Sequence, residues 1–406
     1  MQAQDKKMLI GYIVGSFWID LNGNEGCNIH ISKTLEKIRE NGHEVVLFSA
    51  CNVIEKTNWH IIITKLFQKI LSRILPTYEL FVKSIKSSID IYRKIVKSLP
   101  KPDVLHERYS LFCFGGAIAA KRLKVPLILE VNAPPIEEKR ARGDKISKPL
   151  SILISILAKI NFMLSHKIIV VSDELKDHLS KDWNIPENKV IVIPNGADPI
   201  RQDLLNSKNE LRRSYGYPLE KPIVVFLGSM KKWHGVLNLI DAFYSVLQTV
   251  PGARLLLIGE GELLEEVRDR VDELQIEKSV EITGFLPHTD VLNYIILSDI
   301  AVAPYPKLNT IFYFSPIKIF EYMAAGKAII ASNIGQIAKI LENDRSAMLI
   351  NPGDNKQLTE AIVTLIRNLE MRERFGRNAM ATFLRHYSWD ANIDRLLKIY
   401  NESKRI

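Results

Sequence analysis

The chain has 406 residues, 47% hydrophobic and 25% charged, which is ordinary globular usage and excludes a disordered chain. Hydrophobic cores stop growing at about 250 to 300 residues, so two domains of similar size are expected. The net charge of +9 is uneven: residues 1–200 carry 29 Lys and Arg against 21 Asp and Glu, whereas residues 201–406 carry 26 against 25.

Met1 to Lys7 is polar, and the apolar run Met8 to Val14 is short and lacks a cleavage pattern, so it reads as a first strand and not as a signal peptide. Between it and a long helical pattern, Gly23-Asn-Glu-Gly26 has two readings. Gly23, Glu25 and Gly26 form an acceptor or phosphate loop, or the glycines simply turn the chain. After a strand at Glu44 to Phe48 comes the most basic stretch, Lys65 to Lys101, with nine cations set against Glu79 and Asp90. Leu66, Ile70, Ile74 and Phe81, Ile85, Ile89 recur there at helical spacing, so two basic amphipathic helices are expected. They either dock on an anionic membrane or pack their apolar faces on the sheet with lysines in water. Further strands are expected at Val104 to His106, Leu127 to Val131, Lys167 to Val171 and Val190 to Ile193. His106-Glu107 opens like a zinc-protease motif, but position 110 is Ser and the second ligand is absent.

Turn residues in Pro194-Asn-Gly-Ala-Asp-Pro199 and the polar stretch to Lys221-Pro222 mark a domain break. The strand rhythm then resumes at Ile223 to Leu227, Arg254 to Ile258, Val280 to Ile282, Ile300 to Ala303, Ala328 to Ala331 and Ala347 to Ile350. Alternating strand and helix implies an α/β protein of two doubly wound, Rossmann-like domains. The expected division is an N-terminal domain over 1–200, a linker over 201–221, a C-terminal domain over 222–388 and a last helix over 389–406. In such sheets ligands bind beyond the carboxyl ends of the strands, so both sets of loops are expected to face a central cleft. No stretch reaches the roughly 18 to 20 apolar residues of a spanning helix. Cys27, Cys51 and Cys113 are widely spaced and odd in number, which favours a reducing, cytoplasmic setting.

Three loops carry candidate chemistry. Gly228-Ser-Met-Lys-Lys-Trp-His-Gly235 follows a strand and precedes a helix, so its amides and the helix N-terminus suit a diphosphate, with Lys231, Lys232 and His234 adding mobile or switchable charge. Its alternative is a solvated basic loop. Ile258-Gly-Glu-Gly261 lacks the third glycine of a dinucleotide fingerprint, so Gly259 and Gly261 by themselves read best as a structural turn. In Ser315-Pro-Ile-Lys-Ile-Phe-Glu-Tyr-Met-Ala-Ala-Gly326, Ser315 fits an N-cap and Pro316 the first helical position. Lys318 and Glu321 share a face there, a cation for phosphate and a carboxylate for a pair of sugar hydroxyls, unless they form a surface ion pair.

The order of these loops, with Thr283-Gly-Phe-Leu-Pro287 between them and Pro194-Asn-Gly196 before the break, resembles the family 4 glycosyltransferases, retaining enzymes of the GT-B fold. The resemblance spans essentially the whole chain and is strongest in the second half. It implies transfer of a sugar from a UDP- or GDP-linked donor to a hydroxyl, in polysaccharide, glycolipid or glycoconjugate synthesis. Glu321 falls where the family binds ribose. The glutamate expected eight residues earlier is Tyr313, which moves the sugar and phosphate contacts to the amides around Phe314 and Ser315. Ser229 and His234 replace the family's Arg and Lys, so neutralising the diphosphate falls to Lys231 or Lys232 with Lys318. The resemblance places Phe285 at the base. Asn132 stands where the family has a histidine, and could hydrogen-bond a sugar hydroxyl while Glu130 or Glu137 orients or deprotonates the acceptor. Turn chemistry before a double proline is the other reading of that segment.

The catalytic candidates are therefore Lys318, Lys232, Asn132 and Glu130. No cofactor and no metal are expected: the chain has no Asp-x-Asp pair, and a leaving diphosphate can be stabilised by cations and helix N-termini. The expected partners are a nucleotide-sugar, a hydroxyl acceptor that could be lipid-linked, and the inner face of an anionic membrane, the protein being cytoplasmic or peripheral. A nucleotide-sugar epimerase of the same fold stays open, although its acid-base set cannot be located. A noncatalytic membrane- or nucleic-acid-binding protein is the other class; against nucleic acid, the basic residues lack a stacking set of aromatics.

Overall fold

The computed structural model describes residues 7–16, 26–49, 78–134, 136, 148–308 and 310–404. Two compact units divide the chain: residues 1–193 with 393–406, and residues 194–392.

The first unit holds a parallel sheet in the order β2-β1-β3-β4-β5-β6, made of β1 Leu9–Val14, β2 Glu44–Ser49, β3 Val104–Arg108, β4 Leu127–Val131, β5 Lys167–Val170 and β6 Val190–Val192. Every residue of β4 is buried, as expected for a central strand covered on both faces. Chain order reverses between β1 and β3, and there Ser16 Oγ and Ser110 Oγ lie 2.7 Å apart, joining the two loops. Helices Tyr78–Lys97, Gly115–Leu123 and Lys148–Leu164 form one layer, sharing cores that contain Ile91, Ile95, Ala117 and Ala120, and then Phe112, Ile154 and Phe81. Helix Trp389–Lys404 belongs to this unit from Ile393 on, burying Ile393, Leu396 and Tyr400 with Met8, Ile10 and Ile128.

The second unit repeats the plan in the order β12-β11-β10-β7-β8-β9, with β7 Ile223–Leu227, β8 Arg254–Ile258, β9 Val280–Gly284, β10 Ile300–Ala303, β11 Ala328–Ser332 and β12 Ala347–Ile350. Its switch point lies between β7 and β10, the position where an open α/β sheet receives ligands.

The linker expected over 201–221 is instead folded into the second unit. It forms helices Gln202–Asn206 and Lys208–Ser214 and buries Arg212, which donates to Leu297 O (2.8 Å), Leu219 O (2.7 Å) and Asp299 Oδ2 (2.6 Å). Asp299 also accepts from Lys208 Nζ at 2.6 Å and from the Ile223 amide at 2.8 Å. Burial would raise its carboxyl, but Lys208 and Arg212 outweigh burial and hold it below its ordinary value. A polar composition here encodes an ion-paired anchor rather than a tether.

Candidate active site

The residues of the three second-unit loops meet at the β7–β10 switch point. β7 ends at Gly228, whose φ of +143° only glycine adopts readily, and a Cβ there would lie 2.5 Å from Lys318 Nζ. Gly259 and Gly261 are needed for the same kind of reason: Cβ atoms would come within 2.3 Å of Gly228 O and 2.5 Å of Met230 O. The two loops are joined through their backbones, Gly228 N to Ile258 O (2.9 Å) and Met230 N to Glu260 O (2.7 Å). Glu260 Oε1 accepts from the Phe285 amide at 3.1 Å, and the Phe285 ring is exposed beside it.

Lys318 sits in the first turn of helix Ile317–Ala324, which is tied to the end of β7 by a 2.8 Å bond from the Leu227 amide to the Tyr322 hydroxyl. Its ammonium is buried, 4.5 Å from the Phe226 ring centroid and 5.5 Å from that of Tyr305, and has no hydrogen-bond partner among the described residues. Burial pushes it down to about 7, with Glu321 opposing part of that shift. A buried cation without a partner is costly, and an anion in the adjoining glycine loop would relieve that cost. Glu321, one turn later and also buried, accepts from His288 Nε2 at 2.9 Å. His288 is the first residue of helix His288–Leu297; sequence reasoning missed it, and only its place directly after the Thr283 to Pro287 loop could have drawn attention to it.

Several expectations are corrected. Ser315 is not the N-cap; that position is Pro316. Ser315 Oγ instead accepts from the Asn195 amide at 3.0 Å while Asn195 Nδ2 donates to Ser315 O at 2.7 Å, so the Pro194 turn holds the loop from outside the helix. His234 is not a switchable cation: burial first, then Lys318 and Lys231, push its imidazole down to about 3, and a neutral Nδ1–H donates to Ser229 O at 2.5 Å. Tyr313, which stands in place of the family's first glutamate, is buried with its ring 4.3 Å from that of Phe314. Lys232 is exposed, and Lys231 Nζ lies 5.1 Å from the Trp233 ring centroid. Gly235, with φ +70°, places the next helix: a Cβ there would meet Pro304 O at 1.9 Å.

In the first unit the candidates gather at the carboxyl end of β4. Glu130 accepts from Arg108 Nη1 (2.5 Å), His106 Nε2 (3.1 Å), His30 Nε2 (3.2 Å) and Asn132 Nδ2. Burial would raise its carboxyl, yet His30, Arg108 and the hydrogen bond from His106 hold it well below the usual range. Glu130 is therefore corrected from acceptor base to anchor, because a carboxylate so fully donated to is a weak base. His106 Nδ1 lies 2.5 Å from the Tyr400 hydroxyl, so the imidazole is committed at both nitrogens. Glu107, pointing the other way from β3, has its carboxyl pushed up to about 7 by burial. Gly26 begins helix Gly26–Glu40, whereas Gly23, Glu25, Glu137 and the first of the two basic helices lie outside the described residues.

Two family models match the chain: Glycosyltransferase Family 4 over residues 25–201 and Glycosyl transferases group 1 over residues 207–382. An uncharacterized glycosyltransferase of Methanocaldococcus jannaschii is 23% identical over 380 residues, spanning 92% of this chain and 94% of that one. Among solved structures, sucrose-phosphate synthase of Thermosynechococcus elongatus is similar with a TM-score of 0.70 at 16% identity, covering 98% of this chain and 99% of that one. The Anabaena protein HepE in complex with UDP-glucose is similar with a TM-score of 0.68 at 17% identity, covering 97% and 100%. At these identities the structural likenesses establish the two-sheet architecture.

Proposed function

The chain belongs to family 4 of the glycosyltransferases, the group 1 enzymes with the GT-B fold, and we propose that it moves a sugar from a UDP- or GDP-linked donor to a hydroxyl acceptor with retention of configuration. The observation that carries this reading is the Lys318 ammonium, buried against the Gly228 loop with no hydrogen-bond partner among the described residues. A diphosphate oxygen there supplies the missing counter-charge, and Lys231 or Lys232 with the helix N-termini meets the rest. Glu321 takes the ribose hydroxyls through the oxygen His288 leaves open, and the exposed Phe285 ring offers the base a stacking face. A similar structure holding UDP-glucose supports a nucleoside diphosphate sugar as donor.

As the bond from the anomeric carbon to the phosphate oxygen breaks, negative charge grows on the diphosphate, where Lys318 is already placed to meet it. The acceptor oxygen attacks from the same face, and its proton passes to the departing phosphate. No cofactor enters this scheme. Asn132, held by Glu130, serves as a hydrogen-bonding contact to the acceptor or the sugar. The cationic helix Tyr78–Lys97 supports an anionic membrane, and with it a lipid-linked or membrane-proximal acceptor for glycolipid or polysaccharide synthesis.

Calorimetric titration with UDP, GDP and inorganic pyrophosphate tests the donor assignment. Glu321→Ala should weaken the preferred nucleotide about tenfold or more and change pyrophosphate binding far less, since Glu321 acts on that ligand only through its pull on Lys318. Equal losses for both ligands would overturn the ribose role. NMR analysis of donor incubated alone separates transfer from epimerisation: release of an epimerised sugar nucleotide without acceptor would refute the proposal.

A further inference from the structure

Helix Lys148–Leu164 carries no acidic residue, and four of its large apolar side chains face water: Ile152 at 61% exposure, Ile156 at 53%, Ile160 at 36% and Met163 at 66%. The spacing of four, four and three residues puts them on one stripe. Its other face is spent on the core, through Ile154, Ala158, Asn161 and Phe162. Lys148 lies one turn before Ile152 and Lys159 lies inside the stripe, both exposed. Lys189 Nζ closes the far end, donating to Met163 O at 3.0 Å. The same layer exposes Ile118 on helix Gly115–Leu123 and Ile89 on helix Tyr78–Lys97. Across its three helices, nine Lys and Arg stand against Glu79 and Asp90 alone.

We propose that helix Lys148–Leu164 is a membrane-inserting face, lying in the plane of an anionic lipid surface with Ile152, Ile156, Ile160 and Met163 at acyl-chain depth. This deepens the membrane part of the functional reading and rests on it. It also reassigns the contact: Ile91 and Ile95 of helix Tyr78–Lys97 are buried, so that helix contributes mainly charge, and the insertion belongs to a helix that no basic run in the sequence marks. Charge selects the occupant. A second copy would bring the same cationic layer against this one, whereas anionic headgroups around an apolar stripe satisfy both features at once. Lysines flanking the stripe can keep their ammonium groups at headgroup level while their stems follow the apolar side chains down. Among the described residues no helix is long and apolar enough to cross a membrane, so contact through this stripe would be confined to the interface.

The test is flotation of the full chain with phosphatidylcholine vesicles, with and without about one third phosphatidylglycerol. Binding to the anionic vesicles is expected, at least about tenfold weaker on neutral ones and about tenfold weaker for Ile152→Ser/Ile156→Ser/Met163→Ser. Lys148→Gln/Lys159→Gln should reduce binding and make its remaining loss with salt shallower. These positions are exposed, and an unchanged melting temperature checks that the variants fold. No flotation of the native chain, or equal flotation of the serine variant, overturns the proposal. So does a concentration-dependent dimer, seen by sedimentation and abolished by the serine substitutions, since the stripe would then be an interface between copies. Vesicle binding requires no donor, so failure here is distinct from failure of the sugar-transfer reading, which the nucleotide titrations address.

Discussion

The two sheets place polar clusters at equivalent carboxyl edges and give them opposite electrostatics. In the second unit Lys318 is a buried cation with no hydrogen-bond partner among the described residues, and burial holds it down to about 7. In the first, Glu130 is a buried carboxylate supplied by Arg108, His30, His106 and Asn132, and held well below its usual range. One charge is left open to a counter-ion and the other is already met by its neighbours. The contrast separates a buried group with hydrogen-bonding capacity to spare from one whose capacity is spent on holding other groups.

Lys318→Met gives the largest expected effect and tests the first half of that contrast. Turnover should fall about 10²- to 10³-fold, as when a group stabilising transition-state charge is removed. The melting temperature should rise, because methionine replaces a buried charge that has no hydrogen-bond partner among the described residues. The sign follows from the shift: the lysine binds its proton at about 7 when folded and near 10.5 when unfolded, so it destabilises the fold increasingly as pH drops from 10.5 towards 7. Lys327 is the control. It is equally buried and also held down to about 7 by burial, but it donates to Ile296 O at 2.6 Å and Ser298 O at 2.9 Å. Lys327→Met should therefore lower the melting temperature by orphaning two carbonyls. If both variants shift stability in the same direction, the distinction between them fails.

Glu130→Gln probes the complete cluster. An amide keeps one acceptor oxygen but loses the charge that Arg108 and the two histidines face, so denaturant unfolding should show a loss of about 3 kcal/mol. If stability is unchanged, Glu130 is not the anchor that its four donors suggest.

The pH dependence of nucleotide binding is a milder and more specific test. A bound diphosphate keeps Lys318 protonated and raises its pKa above the free value of about 7. Above about pH 7 binding then takes up a proton, and UDP affinity should weaken about tenfold per pH unit. His234, held down to about 3, adds no slope in this range. Lys318→Met should abolish the dependence, and titrations in buffers of different ionisation enthalpy would detect the missing proton.

The division between legible and hidden features follows the physics of each signal. The strands of both sheets were visible because buried parallel strands are runs of Ile, Val and Leu, and Lys318 with Glu321 stood out because two charges in an apolar helix are conspicuous. Burial of polar residues was not visible. Arg212 looked like linker, His234 looked like a cation and Glu130 looked like a base, since only the fold decides which donors surround a polar atom. Ser315 misled for a related reason: its hydroxyl suits an N-cap, but Asn195, 120 residues earlier, takes it. The exposed stripe on helix Lys148–Leu164 was hidden because an apolar helix reads the same from sequence whether its second face is covered or bare.

The smallest expected effect concerns the residue that the sequence did not suggest at all. His288 donates to one oxygen of Glu321 and is itself half exposed, so it can hold the carboxylate in one rotamer without being part of the buried core. Losing a single hydrogen bond to a charged group costs about 1.5 kcal/mol, which corresponds to roughly a tenfold change in affinity at most. His288→Ala should thus raise the donor KM by about three- to tenfold with kcat nearly unchanged, and His288→Asn, which keeps a donor, should recover part of that. Pyrophosphate affinity should hardly move, because His288→Ala leaves the Glu321 charge near Lys318 in place. A fall in kcat without a change in KM would place His288 in the chemistry of transfer instead, alongside the cations proposed to meet the leaving diphosphate.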